Sequence, residues 1–130
     1  MSLSMHSVSV PLLTQMLTAL SGVLKKAEAH AAARRIEPSV LLEYRLAADM
    51  FPLRRQVQIA CDFAKGTAGR LAGAREIVLR PGTEKEQRFD GRAYLVNYAI
   101  PQFLFHVTTA YAILRHAGVD VGKKDFMGVR

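Results

Sequence analysis

The run from Gly91 to Ala117, "GRAYLVNYAIPQFLFHVTTAYAILRHA", constrains the fold more than any other part of the chain. Leu95, Ala99, Phe103, His106, Ala110 and Ile113 recur at the three- and four-residue spacing of one helical face. Asp90 stands where an N-cap belongs, and Gly118 followed by Val119 predicts a Schellman-type stop. Pro101 lies inside the run and removes the bond to the Asn97 carbonyl, so a kink is expected there. Tyr94, Tyr98, Phe103, Phe105 and Tyr111 spread round this helix. An element of this kind is either central in a bundle or covered by a second subunit.

Two further helices have the same character. Leu13, Met16, Leu17, Leu20, Val23, Leu24 and Ala27 form a stripe over residues 12 to 27, with Pro11 suited to the first turn. This helix runs to about Arg34, where "RRIEPS" breaks it, and Pro38 opens a short turn carrying Val40, Leu41 and Leu42. The next long helix begins after Asp49 and Pro52 with Leu53, Val57, Ala60, Cys61, Ala64, Ala68 and Leu71, and Gly73 ends it. Cys61 is thereby expected to be a buried, small apolar group. The period then changes. "REIVLR" and "KEQRF" flank "PGTE", which predicts a small β-hairpin before the last long helix. The tail "DVGKKDFMGVR" reads as a polar strand of chain lying across the surface. These elements make a mainly α, single domain over residues 1–130.

Composition narrows the classes. Half the residues are hydrophobic and 22% are charged, a globular balance. No uninterrupted apolar run approaches the ~20 residues of a bilayer span, and the opening lacks a basic n-region and cleavage site. Neither a membrane partner nor a signal peptide is expected. Cys61 is the lone cysteine, so an internal disulfide is impossible and a cytoplasmic setting is expected. The net charge of +7 raises nucleic acid as a partner. However, Lys25-Lys26, Arg34-Arg35, Arg54-Arg55 and Lys123-Lys124 are scattered pairs, interleaved with Glu28, Glu37, Glu43, Asp62, Glu84 and Glu86. No zinc-finger, P-loop or RNP pattern accompanies them. A solvated basic surface is the better reading.

The chemistry-bearing candidates are few. His106 and His116 are about 80° apart in azimuth and ~15 Å apart along their helix, so they cannot share a proton or a metal ion within one chain. His116 suits the last turn, where a cation is favoured. His106 falls on the apolar stripe and needs a hydrogen-bond partner, for which Gln56, Gln58 and Asp62 on the second long helix are the candidates. Position i+4 is Ala110, so no H-x-x-x-H pair exists. Thr108 and Thr109 point away from His106, and no G-x-S-x-G, H-E-x-x-H, G-x-G-x-x-G or C-x-x-C occurs.

"SVPLLTQML", "LLEYRLAADMFPLRRQVQIACDFAKGTAGRLAG" and "FHVTTAYAILRHAGVDVGKKDF" together resemble a bacterial family of unknown function. That family lies within the DinB/YfiT-like superfamily of four-helix bundles. The resemblance implies an up-and-down helical bundle. In better-known relatives it also implies a divalent metal held by three histidines, one on the second helix and an H-x-x-x-H pair on the last, with group transfer to small thiols. Only His106 matches a member of that triad. Ala110 holds the partner position, and "PLRRQVQIACDFAKG" offers Gln56, Gln58 and Asp62 but no histidine. His106 and Asp62 are thus the remaining metal candidates, a poor set for zinc, and no cofactor is expected. Family members usually carry some tens of residues, including another bundle helix, between "RLAG" and "REIVL". Here Gly73 runs straight into Ala74, so a deleted or missing segment is expected at that join. Three long helices in place of four, and an apolar last helix, point to a homodimer. The leading expectation is a small cytoplasmic protein with a small-molecule pocket at His106. Metal-dependent thiol transfer or hydrolysis, and nucleic-acid binding through the basic surface, are the alternatives.

Overall fold

A computed structural model describes residues 4–73 and 76–128. The join at Gly73–Ala74 lies outside the described residues. In order, the elements are α1 (Met5–Arg34), α2 (Pro38–Leu42), α3 (Leu53–Leu71), β1 (Glu76–Leu79), β2 (Gln87–Asp90), α4 (Gly91–Tyr94), a π-helical turn (Leu95–Ala99), α5 (Ile100–His116) and α6 (Lys123–Met127). The architecture is the mainly α bundle expected from the sequence, with an antiparallel hairpin before the last long helix.

The last long helix is α4, the π turn and α5 in one continuous run. Asp90 Oδ1 accepts the Ala93 N–H at 2.8 Å and starts it. Val119 N–H donates to the Leu114 carbonyl and Gly118 N–H to that of Arg115, closing it as a Schellman motif with Gly118 at φ 95°. The hydrogen bond lost at Pro101 is absorbed by widening the preceding turn into π geometry, in which Ile100 N–H reaches back to Leu95.

Packing follows from small residues on facing helices. α3 and α5 form the most extensive helix pair. Ala60, Ala64 and Ala110 are buried between them, letting the axes approach while Leu53, Phe103, Val107, Ile113 and Leu114 fill the space around. α1 lays Leu13, Met16, Leu20, Val23, Ala27 and Ala31 over this pair. At the far end the hairpin, in register Ile77↔Phe89, closes over a second cluster of Ile77, Leu79, Tyr94 and Ala99.

Several expectations are corrected. α1 begins at Met5, not near Pro11, because Ser4 and Ser7 form a reciprocal capping box that places Pro11 inside the helix. By length and composition α1 is long and apolar enough to cross a membrane, with a mean hydropathy of 1.4 over an 18-residue stretch. Its apolar stripe is packed on the other helices, which is also how a core helix of a bundle looks. Cys61 is exposed: the buried face of α3 is Leu53, Gln56, Ala60, Ala64 and Thr67, rotated away from the all-apolar stripe. The tail is docked, not merely draped. Val119 and Val121 are buried, Gln15 Nε2 donates to the Met127 carbonyl at 2.8 Å, and Lys26 pairs with Asp125 at 2.8 Å. Among the described residues three helices are long.

Candidate functional site

The α3/α5 seam carries one polar contact inside the core. His106 Nδ1 lies 2.6 Å from Gln56 Oε1, and Gln56 is 1% exposed. The amide's orientation is fixed from its other end, where Gln56 Nε2 donates to the Phe51 carbonyl at 3.2 Å. With Nε2 committed as donor, Oε1 must accept, so the proton of the neutral imidazole sits on Nδ1. His106 Nε2 is then a bare acceptor. It has no protein partner among the described residues, where Thr67 Oγ1 alone is a fully enclosed side-chain polar atom without one. Nε2 therefore keeps some contact with solvent. Burial, and secondarily the positive charge of Arg55, push the His106 pKa below its ordinary value. Both effects favour the neutral ring.

Phe63 stacks on this imidazole, with ring centroids 6.2 Å apart and planes 15° from parallel. Phe105 meets it edge-on at 5.2 Å. Phe63 also belongs to a cleft of about 510 Å3 between α3, the hairpin and the first turns of the last long helix. Arg55, Ile59, Asp62, Phe63 and Arg70 come from α3, Val78 to Pro81 from the hairpin, and Tyr94 and Tyr98 from the helix opposite. The volume is in the range of small-molecule sites. Arg70 donates to the Tyr94 hydroxyl at 3.4 Å and lies over that ring. A larger groove of about 750 Å3 runs between α1 and α6, but no aromatic ring lines it and its Lys26 and Asp125 are paired with each other.

Of the residues singled out from sequence, the structure brings His106 and Gln56 together. Asp62 is exposed and lines the neighbouring cleft, and Gln58 is exposed and lines neither. His116 sits at the end of α5 against Tyr44, with ring centroids 5.9 Å apart. Sequence reasoning missed Arg55, Phe63, Arg70 and Tyr98. Arg55, Ile59, Asp62, Phe63, Gly66 and Arg70 recur within an arc of about 100° on one helix, a signal that was available.

An imidazole whose Nδ1–H is anchored and whose Nε2 is bare has the posture of a metal ligand or a proton acceptor. A metal needs at least two more donors, and among the described residues no three His, Cys, Asp or Glu side chains converge. The residues present do not fit the metal of the DinB-like relatives.

The fold and this seam define a DinB-like helical bundle. A crystal structure of a DinB family member protein from Shewanella denitrificans superposes with a TM-score of 0.83 and 33% identity, covering 96% of this chain and 92% of that one. The chain belongs to the family described as a domain of unknown function, DUF1993, whose model matches residues 5–86 and 73–127. Among curated proteins none matches it.

Proposed function

We propose that the protein binds a small molecule in the cleft bounded by α3, the hairpin and the last long helix, and that it does so as a homodimer. The observation that carries this reading is the double engagement of Phe63: one aromatic ring both stacks on His106 and lines the cleft. A ligand there meets a preformed aromatic wall backed by a neutral, pre-oriented imidazole. Metal-dependent thiol transfer has less support, because only His106 of the required donors is present. Nucleic-acid binding has less support as well, since Arg54 and Arg88 are already paired with carboxylates.

The test is a fragment screen followed by protein-observed NMR. Hits are expected to shift Phe63 and Tyr98, and to be lost in Ile59→Trp, which fills the cleft. Hits that scatter over the surface, or that persist in Ile59→Trp, contradict it.

The dimer is prompted by the last long helix, on which Phe105 is 55% exposed and Val96 53% exposed. A reducing compartment such as the cytoplasm suits an exposed free Cys61.

A further inference from the structure

The charge of the cleft is lopsided. Arg55, Arg70 and Arg80 line it with one carboxylate, Asp62. Among the described residues none of these four takes part in an ion pair. Cations that share a concave surface repel one another and favour an anion between them. The arginines are also placed. Arg70 folds back along its own helix over Gly66, whose missing Cβ leaves room for the end of that flexible side chain. Glycine there weakens a helix relative to alanine, and the space it leaves is occupied by a guanidinium at the cleft wall. From that position Arg70 reaches the Tyr94 hydroxyl, and Arg80 is steadied by Gln87 at 2.9 Å. The rest of the lining is mostly apolar, with the Phe63 and Tyr98 rings 6.0 Å apart and tilted by 57° to one another.

We infer that the cleft takes a small anion with an aromatic body, its carboxylate or phosphate drawn by the net positive, arginine-rich lining and its ring against Phe63. Planar guanidiniums match such oxyanions in two-point geometry. Aromatic walls supply affinity that does not depend on charge. This rests on the cleft being the binding site, and it adds the ligand's class.

Backbone and arginine side-chain NMR titrations with benzoate, phenyl phosphate, benzyl alcohol and inorganic phosphate test it. Benzoate and phenyl phosphate are expected to shift the cleft resonances saturably, at least tenfold more tightly than benzyl alcohol or inorganic phosphate. Arg70→Gln is the decisive variant, because it removes a cleft guanidinium at an exposed position of α3. It should leave the melting temperature nearly unchanged and weaken benzoate at least fivefold, as should Arg80→Gln. Benzyl alcohol binding in the cleft as tightly as benzoate overturns the anion assignment and leaves the cleft reading standing. Inorganic phosphate matching phenyl phosphate overturns the aromatic half. Aryl anions that shift the Lys25, Lys26 and Lys124 groove and not the cleft overturn the proposal altogether.

Discussion

Replacing Gln56 and His106 singly and together measures the one polar contact buried in the α3/α5 seam. Gln56→Leu leaves the His106 Nδ1–H without its acceptor at a residue that is 9% exposed. His106→Leu leaves Gln56 Oε1 stranded at 1% exposure. A buried polar group deprived of its partner costs about 1–3 kcal/mol, whereas removing both partners together is nearly neutral. Each single variant is therefore expected to lose about 2 kcal/mol. The double variant should lose less than either, retaining only the cost of an unpaired, part-buried Phe51 carbonyl. The coupling is then about 2–3 kcal/mol, well above the few tenths found between independent sites. Urea unfolding at one fixed protein concentration reads it, with equal slopes confirming that the denatured states match. Losses that add in the double variant would show that the two groups are not bonded in the folded protein, and the tautomer argument would fall with them.

Other outcomes follow from the same structure. Thr67→Val removes an enclosed hydroxyl that has no partner among the described residues, and should raise stability by about 1 kcal/mol in thermal unfolding. Arg35 ends α1 in the left-handed region at φ 55°, so Arg35→Gly should stabilise by about 1 kcal/mol, and an unchanged urea midpoint would contradict it. Because the His106 pKa is depressed from 6.5, the unfolded chain takes up the proton first as pH falls. Its contribution is intact above about pH 6.5 and is lost below it; His106→Gln, measured from pH 7.5 to 5, should show a shallower decline. In light scattering at micromolar concentration the protein should have twice the monomer mass, and Phe105→Glu should halve it. A monomeric wild type sinks the dimer.

The helices were legible because apolar periodicity is strong wherever a stripe is purely apolar. On the last long helix the residues from Leu95 to Ile113 singled out by spacing are all buried. α3 was read with its face turned, since Gln56 and Thr67 look like surface residues until a partner or a tight seam is known. That error buried Cys61 on paper and left Gln56 off the stripe, although Gln56 stood among the three candidate partners of His106. The start of α1 was missed because a Ser4–Ser7 box lacks the usual acidic third residue. The docked tail was hidden by its lysines, which project outward while Val119, Val121 and Phe126 turn in. The cleft was the least legible feature. It draws on α3, the hairpin and the last long helix, and nothing local in sequence says that the hairpin folds back over Arg70.

The central claim is that His106, the one match to the three-histidine set that the resemblance implies, is here an imidazole anchored by Gln56 through Nδ1 and stacked behind the cleft residue Phe63. A long-range 1H–15N spectrum of the histidines at pH 7.5, recorded before and after one equivalent of Zn2+, tests it directly. The account predicts a protonated Nδ1 and a bare Nε2 on His106, with neither moved by the metal. A proton on Nε2, or a zinc-dependent shift of that nitrogen, contradicts it.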